Sequence, residues 1–165
     1  MTRMPELILI AHNIRSTHNV GALFRTAEGL GVHKIILSGY TPYPTLAHDS
    51  RLPHIHEKLT RQIHKTALGA ELIVPYEYSE TAPLQILREQ GYRIVGLEQS
   101  PDSILLQNYT PPQKLVLLLG EEVEGISDEL LAQCDDIIEI PMKGTKESFN
   151  VSVAAGIALF ELLKP

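Results

Sequence analysis

The chain has little of several things that would otherwise define its chemistry. Only one of its 165 residues is a cysteine, Cys134, which excludes an intramolecular disulfide and a zinc cage of several cysteines. There is no tryptophan, and aromatic residues make up 5%. The most apolar stretch, residues 151–163, is too short to span a bilayer and ends in Glu161 and Lys164. No charged-then-apolar leader precedes the first strand-like run, so a cytoplasmic protein is the expectation. The phosphate-loop pattern and the Gly-x-Gly-x-x-Gly fingerprint are both missing, which leaves a triphosphate site and a conventional dinucleotide site without support.

What is present suffices for one folded domain, and a single domain over residues 1–165 without a separate partner-binding extension is the expectation. Hydrophobic residues are 44% and charged residues 21%, a balance that excludes disordered and fibrous classes. The net charge of −6 argues against a generic polyanion binder, but it is unevenly spread. Residues 1–70 hold eight Lys and Arg against four Asp and Glu, while residues 71–165 hold six against sixteen. All seven histidines lie in the basic part. Such a division points to a partner that touches one half of the chain, with nucleic acid the leading class.

Short β-branched or Leu-rich runs at 7–11, 34–37, 72–74, 93–97, 115–119 and 137–140 alternate with helical patterns at 20–30, 53–66, 82–90, 128–132 and 151–163. Strands apolar throughout and separated by helices predict an α/β fold, a mainly parallel sheet with helices on both faces. Residues 40–53 and 100–113, rich in polar and turn-forming types, read as long surface loops.

Three segments combine turn chemistry with polar side chains. In the first, Asn13 to Thr26, a helix from Val20 buries Val20, Leu23, Phe24, Ala27 and Leu30 and sends Arg25 to the opposite side, beside Gly21, Ala22 and Gly29. That small-residue face admits a phosphate, another backbone or a second subunit; the plain alternative is a surface Arg25–Glu28 pair on a helix capped by Asn19. In the second, Leu119 to Ser127, Gly120 and Gly125 bracket Glu121, Glu122 and Glu124 directly after a strand, where open α/β sheets bind ligands. A solvated acidic turn is the alternative. In the third, Ile140 to Asn150, Ser148 and Asn150 stand at a helix start, as hydrogen-bonding groups of a site or as caps alone. The helix that follows is apolar nearly all round, so the core or a partner must cover it. His54, His56 and His64 lack a regular metal spacing, and the acidic turn has no neighbouring histidine; no metal is expected.

Taken in order, Asn19-Val20-Gly21-Ala22 to Arg25-Thr26-Ala27, Gly120-x-Glu122-x-x-Gly125-Ile126, and Ile140-Pro141-Met142-x-Gly144 to Ser148-Phe149-Asn150-Val151 resemble the SpoU/TrmH family of RNA 2′-O-ribose methyltransferases in the SPOUT superfamily. The resemblance covers nearly the whole chain. It implies a C-terminal trefoil knot, a feature very rare among folds, and S-adenosyl-L-methionine as cofactor, bound near Leu119, Gly120, Ile140, Met142 and Phe149. It also implies a homodimer in which the first segment of one subunit completes the other's site. Arg25 matches the family's catalytic arginine, with Asn19, Glu122, Ser148 and Asn150 as supporting polar residues. An arginine with pKa above about 12 is a poor proton acceptor, so its expected role is to fix a phosphate and ease alkoxide charge. Two departures stand out: Glu121 where the family often has Asn, and Phe149 where it often has Leu.

The leading expectation is therefore methyl transfer to a ribose 2′-oxygen of tRNA or rRNA, with an accessory protein a candidate aid to substrate selection. A non-catalytic RNA-binding module of the same fold, or a base-methylating SPOUT enzyme, are the alternatives. The basic segment with Arg51, His54, His56, Lys58, Arg61, His64 and Lys65 is the natural place for phosphates to dock.

Overall fold

A computed structural model describes residues 3–165. Seven strands form one sheet: β1 (Glu6–His12), β2 (Lys34–Ser38), β3 (Tyr76–Ser79), β4 (Arg93–Leu97), β5 (Ile104–Leu105), β6 (Lys114–Leu119) and β7 (Asp136–Glu139). Their spatial order is β3-β2-β1-β6-β4-β7-β5, and every pairing is parallel. Five helices connect them: α1 (Thr17–Leu30), α2 (Pro53–Ala67), α3 (Leu84–Glu89), α4 (Asp128–Leu131) and α5 (Val151–Leu162).

The two-residue period of β1 explains its unbroken apolar run from Leu7 to Ala11. Leu7, Leu9 and Ala11 face α1, α2 and α5, while Ile8 and Ile10 join Leu84, Leu87, Ile126 and Leu118 on the opposite face. Each face is covered, so every one of these side chains is buried. At the centre, Ala11 stands level with Leu37 of β2 and Leu119 of β6. The carboxyl ends of β1, β2, β4, β6 and β7 consequently open onto one edge, and the strand order changes direction beside β1.

The structure corrects four readings. The run 72–74 is not a strand: Ala70–Leu72 is a 3-10 turn and the strand begins at Tyr76. The buried carboxylate of Glu71 draws the chain into that turn by accepting from the Gly69 N–H at 2.9 Å and pairing with His64 at 2.5 Å. Leu72 and Ile73 are left exposed. Second, residues 100–113 are not purely loop; they contain β5 and the 3-10 turn Leu106–Asn108, whose Leu106 is buried. Third, α1 starts three residues earlier than its apolar stripe. Ser16 is the cap and accepts from the Asn19 N–H at 3.1 Å, so the Asn19 side chain is free for other work. Fourth, Gly21 does not belong to an outward small-residue face. A Cβ there would lie 2.3 Å from the Ile63 carbonyl oxygen, so this glycine lets α1 press against α2.

Candidate active site

A cleft of about 160 Å³ lies beyond the carboxyl ends of β4, β6 and β7. Leu119, Ile140, Phe149 and Val151 supply apolar wall, and Glu98, Glu121, Glu122 and Glu124 supply carboxylates. Its floor depends on Gly120 and Gly125. A Cβ at Gly120 would sit 2.4 Å from the Gly125 carbonyl carbon, so close backbone approach, not an unusual dihedral, demands glycine there. Gly125 does adopt φ 70°. Glu121 and Gly125 exchange backbone hydrogen bonds of 3.0 and 2.9 Å, closing the turn.

Glu98 clamps this turn from β4. Its carboxylate accepts from the Ile126 N–H at 3.0 Å and the Gln99 N–H at 2.8 Å. The sequence reading missed Glu98, although its place directly after the strand at 93–97 is the signal that finds it.

Glu122 joins the turn to α1. It accepts from the backbone N–H of Arg15 at 3.0 Å and of Ser16 at 3.1 Å, and from Asn19 Nδ2 at 3.3 Å. Burial alone would raise its pKa; the donors from Arg15, Ser16 and Asn19 outweigh burial and bring it below the ordinary value of 4.5. Asn150 completes the relay, donating from Nδ2 to Asn19 Oδ1 at 3.2 Å. The same Asn150 caps α5 by accepting from the Ser152 and Val153 N–H groups. Asn150 is therefore a cap that also reaches Asn19.

Of the expected site residues, Asn19, Glu122 and Asn150 form one hydrogen-bonded chain, and Leu119, Gly120, Ile140, Ser148 and Phe149 line the cleft. Met142 lies outside its walls. Arg25 stands apart: six residues beyond Asn19 on α1, it is about 9 Å further along the helix axis. It is exposed and makes no ion pair among the described residues, Glu28 included. Burial first, then Asp135, push the Cys134 thiol up to about 11, which disfavours the thiolate. Among the described residues no group of three or more His, Cys, Asp or Glu is placed to hold a metal, and no helix is long and apolar enough to cross a membrane.

The cleft suits a cationic ligand with a flat apolar part. Phe149 is 40% exposed at its mouth, an apolar surface available to a ring, and the surrounding carboxylates favour positive over phosphate charge. The volume is below the roughly 300–1,000 Å³ of sites that enclose a drug-sized ligand, so the cleft encloses only part of a ligand of that size.

A parallel α/β protein with a ligand cleft at the carboxyl edge and a polar relay beside it is the class that fold and site define. Residues 6–160 match the SpoU rRNA Methylase family. A 23S rRNA (guanosine-2′-O-)-methyltransferase RlmB of Neisseria meningitidis is 35% identical over 159 residues, 95% of this chain and 58% of that protein. A tRNA (guanosine(18)-2′-O)-methyltransferase of Aquifex aeolicus is 31% identical over 159 residues, 96% of this chain and 69% of that protein. In fold, the chain superposes on an AdoMet-bound rRNA methyltransferase of Sinorhizobium meliloti with a TM-score of 0.78 at 24% identity, covering 97% of this chain and 56% of that one. The chain belongs to the SpoU rRNA Methylase family, the SpoU/TrmH group that its three motifs resemble. It spans a little over half the length of relatives such as the Neisseria protein.

Proposed function

We propose that this chain is an S-adenosyl-L-methionine-dependent RNA 2′-O-ribose methyltransferase acting on tRNA or rRNA in the cytoplasm. The observation that carries the reading is the Asn150–Asn19–Glu122 relay beside a glycine-floored cleft. The names of the Neisseria and Aquifex relatives support it.

Leu119, Ile140 and Phe149 hold the adenosyl part between apolar walls, and Gly120 brings backbone within reach of it. The cofactor, when bound, supplies a methyl group on a sulfonium. The chain's own residues align the ribose oxygen with that methyl and exclude water. Ser148 and Asn150 present hydrogen-bonding groups to the ribose, and Asn19 and Glu122 keep Asn150 in place. Arg25 fixes the neighbouring phosphate and lowers the cost of charge developing on the 2′-oxygen.

Since Arg25 lies away from its own subunit's cleft, a homodimer supplies it from the second subunit. The exposed face of α5, with Val153 at 50%, Ile157 at 39% and Phe160 at 66% exposure, is the surface that seats the partner. Mixing Arg25→Ala with Asn150→Ala protein restores activity if sites are shared. An accessory protein contributes to substrate choice.

RNA approaches over α2. The seven basic residues of 51–65 divide sharply. Arg51, His56 and His64 are engaged with Asp49, Thr45 and Glu71. His54, Lys58, Arg61 and Lys65 are exposed, without ion pairs among the described residues, and recur at helical spacing along about 16 Å of one ridge. Phosphates dock on this ridge.

Nucleoside mass spectrometry of RNA from a deletion strain tests the function. Loss of one 2′-O-methylated nucleoside, restored by the wild-type chain and not by Arg25→Ala, is expected. Loss of a base-methylated nucleoside assigns the base-modifying reaction instead, and an unchanged profile assigns a non-catalytic module.

A further inference from the structure

A second concavity, about 580 Å³, lies between the start of α1, residues 39–43 and the face of α2 that carries Leu59 and Gln62. It adjoins the cleft, because the Arg15 and Ser16 that line it are the residues whose backbone N–H groups Glu122 holds. Tyr40 is 49% exposed there, an aromatic ring left uncovered in a chain with few aromatics. The Arg15 guanidinium stands 5.8 Å from its centroid. Arg15 is 77% exposed, and its one carboxylate partner, Glu121, is 3.5 Å away; an exposed pair of this kind contributes little and releases its arginine readily.

The backbone that carries Tyr40 is unusually fixed. Asn13, directly after β1, adopts φ 55°, and Gly39, directly after β2, adopts φ 65°. The Asn13 Oδ1 accepts from the Tyr40 N–H at 3.1 Å and lies 1.8 Å from where a Cβ on Gly39 would be. Thr41, buried beside them, donates to the Ala11 carbonyl at 2.9 Å and accepts from the Ile14 N–H at 2.9 Å. A non-glycine residue in the left-handed region, buttressed by a buried threonine, is local strain of the kind that accumulates where a side chain must be presented in one orientation.

We propose that Tyr40 is a stacking platform for an unpaired nucleobase next to the methylated nucleotide, with Arg15 taking that nucleotide's phosphate. This rests on the RNA reading above and deepens it: the enzyme selects a single-stranded or splayed-out segment, since only an unstacked base presents a free face to an aromatic ring. Gln62, on the opposite wall of the groove, is placed to meet the base edge and lend sequence preference.

The absence of tryptophan provides the probe. In this 165-residue chain, Tyr40→Trp places the sole indole in the groove, and titration with single-stranded rA12 is expected to quench its emission to saturation. In anisotropy measurements with labelled rA12, Tyr40→Ala raises Kd about tenfold, in the range of one base stacked on one ring, while Tyr40→Phe stays within about twofold. Binding of a 12-base-pair RNA duplex is unaffected by either change. Wild-type affinity for rA12 in Tyr40→Ala, or equal losses on single strand and duplex, overturns the platform. The RNA reading survives that result if Lys58→Ala/Arg61→Ala still weakens binding. A wild-type chain that binds neither rA12 nor unfractionated tRNA overturns both.

Discussion

Residues 40–52 and residues 141–149 both follow strands at the carboxyl edge of the sheet and both lie outside regular structure, yet they are built in opposite ways. In the first, Arg51 forms a bidentate pair with Asp49 at 2.8 and 2.5 Å, donates to the Tyr43 and Pro44 carbonyls, and lies 3.6 Å from the Tyr43 ring. Tyr43 in turn stacks on Tyr78 with centroids 4.1 Å apart. In the second, Lys143 to Phe149 are all exposed, and the side-chain tie to this segment is Gln99 Nε2 donating to the Glu147 carbonyl at 2.7 Å. The difference is one of internal bracing. The first segment is held by its own side chains. The second has few such ties, and its Ser148 and Phe149 line the cleft.

The strongest way to break this contrast is to remove the pin of the ordered segment. The Asp49 side chain is 4% exposed and Arg51 is 16% exposed, so Asp49→Ala leaves a largely buried guanidinium unpaired and is expected to cost about 3 kcal/mol in denaturant unfolding. Next in size is Glu122→Gln, which weakens the charge-assisted bonds between the cleft turn and α1 and costs about 2 kcal/mol. This change also has a pH signature. Since the folded-state pKa of Glu122 is depressed, its contribution is complete above the unfolded value near 4.5 and is lost as pH falls through the lower folded value. The glutamine variant should therefore show a flatter acid limb than wild type. Ser16→Ala, which removes the α1 cap, should cost about 1 kcal/mol. The smallest stability effect belongs to the loose segment: Ser148→Ala should move unfolding by less than about 0.5 kcal/mol. Single-turnover methyl transfer to RNA should nonetheless slow several-fold, while calorimetric titration with S-adenosylmethionine shows cofactor affinity little changed. A large loss of stability at Ser148 would erase the distinction between the two segments.

The sequence carried the architecture well where one physical signal dominated. Six apolar runs read as strands, and five of them are strands, because burial on both faces writes itself as uninterrupted Leu and Ile. The failures share a cause: polar groups acting across long sequence distances. Nothing local in Ala70–Leu72 says that buried Glu71 will bend the chain into a turn, and β3 begins just after Pro75, which has no N–H to give a ladder. Asn19 looked like a cap because caps are local, whereas its partners Glu122 and Asn150 lie 103 and 131 positions away. Likewise, Arg51 was one of seven cations until Asp49 and two carbonyls claimed it. The free ridge on α2 became visible only after that subtraction.

The strand order has a consequence for how the chain is made. β1 is flanked by β2 and by β6, so Ile8 has to wait for Val116 before its second edge is paired. On a ribosome adding roughly 5–20 residues per second, the interval between completing β2 and completing β6 lasts on the order of 4–16 s. Throughout it, a strand edge with a five-residue apolar run is open to any passing β-segment. A nascent chain of this design is therefore most exposed to mispairing in mid-synthesis, and slowing translation between residues 38 and 119 should raise aggregation more than an equal delay after residue 119.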